Sequence, residues 1–353
     1  MKKGISKKLL LFIFVIMLAL AGCSQSASEG APSNEGDSSS SSSGGSTALK
    51  MATLAQGGAW YVYGATMAEL LHKNVEQIER VDVLPYSGGL GNIKVVDQGE
   101  AELGLTFTLN NRWAVDGSVA YDKKYEDLRV LVGGLDKYYV GILMSNSFIE
   151  KHGIESIADI KTKEIPVRLL TLNKGSQGEY AAMQIMEAYG MDYETIQSYG
   201  GSVEHTSFDV VKTQIQDGKA DMFIQVMTEG HPTFAEIALQ TPVTFMDVED
   251  EYRDKLKQFG YAKTVFPAGI FEGQDKEIQA LGLTTTLVTT ADLSEDLAYE
   301  ITKTLAENTD ALAAGHAGLS VYDPQAGITE DATGGVELHP GAAKYYKEQG
   351  WIE

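Results

Sequence analysis

Cysteine is almost absent from this chain: Cys23 is the only one among 353 residues. A single thiol cannot form a disulfide within the chain, and this one lies close to the N-terminus. The sequence therefore excludes a fold held by internal disulfides, and it excludes thiol catalysis in the body of the protein.

Basic side chains are scarce as well, with 28 Lys and Arg against 49 Asp and Glu and a formal net charge of −21. Proteins that bind nucleic acids need a basic face for the phosphates, which this composition does not offer. We therefore expect no nucleic-acid partner. Beyond the N-terminal region, no segment reaches the ~20 apolar residues of a transmembrane helix, so we expect no membrane span there.

Motifs of catalysis and metal binding are also missing. The histidines show no H-E-x-x-H or similar ligand spacing. Residue 174 is lysine where the nucleophile elbow G-x-S-x-G needs glycine, and Gly218-Lys219-Ala220 lacks the hydroxyl residue and upstream glycine of a phosphate-binding P-loop. We expect a binding protein with no catalytic residue, no metal and no cofactor. The six histidines are His72, His152, His205, His231, His316 and His339.

The N-terminus carries the strongest single signal. Lysines at positions 2, 3, 7 and 8 precede the apolar run 9–19, which ends at Leu20-Ala21-Gly22-Cys23. This is the pattern of a secretory signal peptide, and the small residues before the cysteine resemble a bacterial lipoprotein signal. We expect residues 1–22 to be removed and the Cys23 thiol to be lipidated, which would anchor the protein outside the cytoplasm. A signal peptide with an incidental cysteine is the alternative.

Residues 23–48 are rich in Ser, Gly, Ala and acidic side chains and lack aromatics, which predicts a flexible tether. Roughly 300 residues follow, more than one hydrophobic core usually serves. Strand-like and helical segments alternate there, which favours an α/β fold with mainly parallel sheets. We expect two lobes with a ligand cleft between them, joined near Gly133-Gly134. Lobe 1 is assigned residues 49–137 and 250–353, and lobe 2 residues 138–249.

An internal echo supports the two lobes. Residues 98–103, QGEAEL, correspond to residues 217–222, DGKADM, and each lies between a helical pattern and a buried strand. Each glycine, Gly99 and Gly218, fits the left-handed position that ends a helix. In each lobe a strand, a glycine-rich loop and a helix follow one another in the same order.

The loop Tyr86-Ser87-Gly88-Gly89 lies between a strand and a helical pattern. A glycine-rich turn that opens a helix presents backbone N–H groups to an anion, and the helix dipole favours negative charge there. The spacing is not the dinucleotide motif G-x-G-x-x-G. The loop either holds another small anionic ligand or only makes a tight turn.

Segments in a fixed order through the chain resemble the TAXI family of receptors for tripartite ATP-independent periplasmic (TRAP) transporters. The resemblance implies a two-lobed type II periplasmic-binding fold and delivery of a glutamate-like, glutamine-like or dicarboxylate-like ligand to a TRAP permease. The sequence departs from the family where Gly175-Ser176-Gln177-Gly178 replaces Gly-Ser-Gly-Thr, and at residues 225–229, where small residues are usual. The segments that carry the resemblance are 57–61, 86–89 with Asn92, 99–103, 157–161, 185–190, 267–269, 273–275, 297–303 and 338–346.

The expected function is that of a lipid-anchored extracytoplasmic receptor for a small carboxylate, and the alternative is a sensory lipoprotein without a permease. Lys174 and Arg112 are basic candidates for a ligand carboxylate. Glu179 and Glu229 would suit an ammonium, which favours an amino acid such as glutamate over a plain dicarboxylate. The residues predicted to bind ligand are Gly57, Gly58, Trp60, Tyr61, Ser87, Gly88, Gly89, Asn92, Thr106, Thr108, Lys174, Gly175, Ser176, Gln177 and Gln225.

Overall fold

A computed structural model describes residues 47–54, 56, 58–86 and 88–353. The predicted signal peptide, Cys23 and nearly all of the predicted tether lie outside the described residues, as do the predicted ligand-binding residues Gly57 and Ser87. None of the described helices is both long and apolar enough to cross a membrane.

The described residues include twelve strands and fourteen α-helices. The strands are β1 Thr47–Ala52, β2 Ile78–Leu84, β3 Leu103–Phe107, β4 Leu128–Val132, β5 Tyr138–Ser145, β6 Arg168–Leu172, β7 Ser202–Thr206, β8 Met222–Met227, β9 Val243–Phe245, β10 Ala262–Phe266, β11 Ile278–Leu283 and β12 Thr285–Thr290. The helices are α1 Ala59–Asn74, α2 Gly89–Asp97, α3 Thr108–Asp116, α4 Asn146–His152, α5 Ala158–Thr162, α6 Gln177–Ala188, α7 Tyr193–Ser198, α8 Phe208–Gln216, α9 Pro232–Gln240, α10 Asp250–Leu256, α11 Glu295–Glu307, α12 Thr309–Gly315, α13 Glu330–Thr333 and α14 Pro340–Glu348.

The strands form two sheets, and each sheet with its helices makes one lobe. The first sheet has the order β2-β1-β3-β12-β4, and the second has β7-β6-β8-β5-β11-β10, with β9 paired to β5. In the first, β1 is parallel to β2 and β3, and β12 is antiparallel to β3. In the second, β6 is parallel to β7 and β8, and β5 is antiparallel to β8. The two lobes therefore repeat one arrangement of strands.

The paired segments of the sequence mark equivalent places in the two lobes. Gly99 follows α2 with φ of 70°, and Gly218 follows α8 with φ of 65°. Ala101 and Ala220, both buried, then lead into β3 and β8. The predicted left-handed conformation of both glycines is confirmed.

The chain passes twice between the lobes, through residues 133–137 and at Thr284. The sequence analysis predicted that the chain re-enters lobe 1 at residue 250, and this boundary is wrong. Strands β10 and β11 lie in the second sheet, where β11 pairs with β5 around Gly282 and Tyr139. The predicted tether also ends earlier than expected, because β1 begins at Thr47.

A buried carboxylate ties the two crossovers together. Asp136 accepts hydrogen bonds from the backbone N–H and the hydroxyl of Thr285, both at 2.8 Å. Its carbonyl oxygen accepts a bond of 2.6 Å from the Thr284 hydroxyl. Burial raises the pKa of Asp136 to about 7, because desolvation of the charged form outweighs the hydrogen bonds that favour it.

This pKa predicts a pH dependence of stability. The pKa of Asp136 in the folded state lies above its unfolded value of about 3.9, so its contribution is full below pH ~4 and is lost as the pH rises through 7. The free energy of unfolding of the wild type, minus that of Asp136→Asn, should fall between pH 4 and pH 8 by up to about 4 kcal/mol. Urea denaturation at each pH measures this difference. A difference that stays constant, or rises with pH, would contradict the assignment.

Candidate ligand-binding cleft

Three helices of lobe 1 begin at the same edge of the first sheet. Helices α1, α2 and α3 follow the carboxyl ends of β1, β2 and β3, and their N-cap residues are Gly58, Gly88 and Phe107. None of these caps makes a side-chain hydrogen bond to the helix. No capping side chain therefore accepts a hydrogen bond from the first N–H groups of these helices, and the three positive dipole ends meet at this edge.

Gly88 has a backbone reason to be glycine. Its φ of 95° and ψ of −169° lie in a region that essentially only glycine adopts. A Cβ there would also lie 3.0 Å from Leu54 Cδ1. The tight-turn interpretation thus has a physical basis that does not depend on a ligand, and replacing Gly88 would cost stability.

Asn92 connects α2 to the strands beneath the loops. Its Nδ2 lies 3.2, 3.1 and 2.8 Å from the carbonyl oxygens of Ala52, Thr53 and Leu105. The side chain is fully buried, and its Oδ1 has no partner. This geometry makes Asn92 a clip between β1 and β3, and it leaves only Oδ1 for a ligand.

The aromatic residues predicted at the start of α1 differ in exposure. Trp60 is buried, and its Nε1–H donates to Thr285 Oγ1 at 2.9 Å, while its ring lies 4.5 Å from that of Phe107. Tyr61 is half-buried, and its hydroxyl accepts a bond of 3.3 Å from Gln56 Nε2. Trp60 therefore belongs to the network of Asp136, whereas Tyr61 lies at the surface of the first turn.

Thr106 and Thr108 flank the junction of β3 and α3. Thr106 is fully buried in β3, and its carbonyl oxygen lies 3.4 Å from the Thr286 hydroxyl. Thr108 is the first residue of α3, and its backbone N–H donates to Thr284 O at 3.0 Å. The start of α3 is thus attached to the second crossover.

In lobe 2 the backbone N–H groups at the start of α6 donate to side chains of the same segment. Ser176 Oγ accepts a bond of 3.2 Å from the Glu179 N–H. The Glu179 carboxylate accepts a bond from the Gly175 N–H, and its Oε1 lies 2.8 Å from His205 Nε2. Both oxygens of Glu179 are engaged, so the carboxylate predicted to suit a ligand ammonium already neutralises this helix end.

The other predicted residues of lobe 2 have different surroundings. Lys174 is exposed and takes part in none of the ion pairs of the described residues. Gln225 is buried against Gly178, and its Oε1 accepts the Val226 N–H at 2.8 Å. Gln177 extends to lobe 1, where its Oε1 accepts a bond of 2.8 Å from Asn110 Nδ2.

The remaining charged candidates are engaged elsewhere. Arg112 Nη2 lies 3.0 Å from Glu330 Oε1, and both residues belong to lobe 1. Glu229 Oε1 accepts a bond of 3.0 Å from the Tyr139 hydroxyl. Within residues 47–54, 56, 58–86 and 88–353, no three His, Cys, Asp or Glu side chains come together as metal ligands would.

Sequence reasoning missed several residues that connect the lobes. Asn110 and Trp113 contact the opposite lobe, Tyr261 bonds to Gln177 within lobe 2, and Asp136 joins the crossovers. Their only signal was polarity next to a predicted strand end, as for Asn110 after β3 and Asp136 after Gly134. That signal does not distinguish a buried contact from a solvated one.

Two similar α/β lobes, two crossovers and helix ends facing an interlobe cleft define the two-lobed periplasmic-binding-protein fold of type II. MatC of Rhodopseudomonas palustris, solved with bound malate, shares it with a TM-score of 0.52 and 11% identity, over 86% of this chain and 97% of that one. PhnD1 of Prochlorococcus marinus in complex with methylphosphonate has a TM-score of 0.50 and 10% identity, over 86% and 99%. The chain belongs to the NMT1-like family, which it matches over residues 51–350.

The cap of α6 can be tested without a ligand. Ser176→Ala removes the acceptor of the Glu179 N–H, and the loss of such a cap costs about 1 kcal/mol. Ser207 is the matched control, because it occupies the N-cap of α8 without a side-chain bond. We expect urea denaturation to show the loss for Ser176→Ala and a change of only a few tenths of a kcal/mol for Ser207→Ala. Equal losses in both variants would contradict the capping role.

Proposed function

We propose that this protein is an extracytoplasmic solute-binding receptor of the TAXI type, which captures a small carboxylate and delivers it to a TRAP-type permease. Membership of the NMT1-like family and the two-lobed fold support a binding protein rather than an enzyme. Lobes joined by two short crossovers can close around a ligand by hinge motion, which suits capture and release.

One observation carries the proposal: three helix N-termini without side-chain caps meet at the cleft edge of lobe 1. Helix N-termini bind carboxylates and phosphates through their N–H groups and dipoles. The basic candidates offer less stabilisation of a carboxylate, since Arg112 is paired with Glu330 and Lys174 is exposed. We therefore assign the ligand carboxylate to backbone N–H groups of lobe 1, near Gly57, Gly58 and the loop 87–89.

The ligand is assigned to the small carboxylates, with glutamate, glutamine and dicarboxylates as the first candidates. Malate in MatC and methylphosphonate in PhnD1 are small anions held by the same fold, in keeping with this class. Both oxygens of Glu179 are engaged within lobe 2, so any preference for an ammonium falls to Glu229, which is exposed and, among the described residues, accepts only the Tyr139 hydroxyl at Oε1. In this proposal Ser176, Gln177 and the loop around them contact the ligand from lobe 2.

Calorimetry with glutamate, glutamine, 2-oxoglutarate and succinate tests the ligand class. We expect one of these carboxylates to bind and a neutral sugar not to bind. Lys174→Ala should weaken binding less than tenfold, because an exposed charge contributes about 1 kcal/mol or less.

Lys151→Ala, which removes an exposed lysine of α4, is the control for net charge. Tight binding of a neutral sugar would overturn the ligand class. A loss of a hundredfold or more in Lys174→Ala would show that the lysine, rather than the helix ends, holds the carboxylate.

The receptor is proposed to be held at the membrane by a lipid on Cys23. Two acyl chains give stable anchoring, because each buried CH₂ contributes about 0.8 kcal/mol. Cys23→Ser should therefore release the protein from the membrane fraction of the cells that make it, as an immunoblot after fractionation would show. A variant that stays with the membranes after a salt wash would contradict the anchor.

A further inference from the structure

Helix α3 of lobe 1 lies against lobe 2. Asn110, near its start, donates from Nδ2 to Gln177 Oε1 of α6 at 2.8 Å. Trp113, one turn further, donates from Nε1 to the carbonyl oxygen of Phe259 at 2.8 Å. Both donors belong to the lobe of the first sheet and both acceptors to the lobe of the second. Two hydrogen bonds thus connect the lobes away from the crossovers.

The first of these bonds continues into lobe 2. Gln177 Nε2 lies 3.3 Å from the Tyr261 hydroxyl, which donates to Gln184 Oε1 at 2.9 Å. The exposed fractions are 0% for Asn110, 9% for Gln177 and 3% for both Tyr261 and Gln184. Water hardly reaches this chain of amides and hydroxyl, so a partner lost on one side leaves a buried polar group unsatisfied on the other.

Apolar contacts lie beside the same bonds. The ring of Trp113 is 5.6 Å from that of Tyr180 on α6, and Trp113 is 1% exposed. Gly260 approaches α3 so closely that a Cβ on it would lie 3.3 Å from Leu109 Cβ. The contact therefore combines directional hydrogen bonds with close packing, as a specific interface does.

We propose that these groups form a clasp that holds the two lobes closed over the cleft and thereby adds to the affinity for ligand. The interlobe clasp consists of Asn110, Gln177, Trp113 and the carbonyl of Phe259. Asn110 and Trp113 are positioning residues, since they act by holding α6 and its loop against lobe 1. The inference rests on the proposed function only for its effect on affinity.

The size of the effect follows from the closed fraction. When only the closed form binds tightly, the apparent dissociation constant is the intrinsic one divided by the closed fraction. A buried neutral hydrogen bond shifts such an equilibrium by about threefold to tenfold. Loss of one bond of the interlobe clasp should raise the opening constant by that factor.

Exchange of the indole N–H of Trp113 with solvent deuterium reports the opening directly, because this proton lies in an interlobe bond. The sequence contains three tryptophans, so selective ¹⁵N labelling gives three indole signals. The indole of Trp60 is the internal reference, since its bond to Thr285 lies on the side of lobe 1. The measurement uses the full-length protein in detergent without added ligand.

We expect Asn110→Ala to accelerate exchange at Trp113 about threefold to tenfold, with little change at Trp60. Asn111→Ala is the matched control, because Asn111 is equally buried on α3 but bonds to Thr286 and Thr333 of its own lobe. It should not change the ratio of the two rates. Gln177→Met breaks the same bond from the other lobe and should accelerate exchange at Trp113 by a similar factor. It serves as the test by itself if Asn110→Ala does not fold.

An unchanged ratio in both Asn110→Ala and Gln177→Met would overturn the interlobe clasp, as would an equal acceleration in Asn111→Ala. These exchange rates do not depend on which ligand binds. A failure of all carboxylates to bind would therefore count against the proposed function and leave the exchange result to decide the interlobe clasp by itself.

Discussion

Both connections between the lobes depend on the hydrogen bonds of one buried carboxylate. Asp136 lies in the first crossover, and its donors belong to Thr285, directly after the second. The hydroxyl of Thr285 also accepts the indole N–H of Trp60, which brings the first turn of α1 into the same network. A buried carboxylate is tolerated only while its donors stay in place. The two crossovers and the start of α1 therefore form one hydrogen-bonded unit.

The position of this unit follows from the topology. The fourth strand of each sheet is the strand that enters directly after a crossover, β12 in the first sheet and β5 in the second. Each runs antiparallel to the parallel strands before it, β3 and β8 respectively. Each lobe is therefore completed by chain that has just left the other, so both connections between the lobes are short. A longer connection would separate the crossovers, and one carboxylate could not join them.

Much of the fold was predictable because its causes are local. A glycine in the left-handed conformation ends α2 and α8, and the residues that follow enter buried strands, so the echo in the sequence reflected a true repeat of structure. The return to lobe 1 was misplaced because β11 joins the second sheet by pairing with β5, more than a hundred residues earlier, and β10 joins it by pairing with β11. The local sequence of a strand does not specify such a distant partner.

The position of the candidate cleft was predictable in outline, because open α/β sheets bind ligands at the carboxyl ends of their parallel strands. Which charged side chains near it are free was not predictable. The sequence indicated a free carboxylate at Glu179, but this carboxylate accepts a hydrogen bond from the Gly175 N–H. Arg112, a basic candidate for the ligand, forms an ion pair with Glu330. The sequence shows which groups carry charge, and only the folded chain shows which are neutralised. Among the helices that begin at the predicted loops, α6 of lobe 2 is capped by Ser176, while α1, α2 and α3 of lobe 1 have no side-chain caps. In the function proposed above, the ligand anion is therefore bound mainly by lobe 1, and lobe 2 contributes by closing over it.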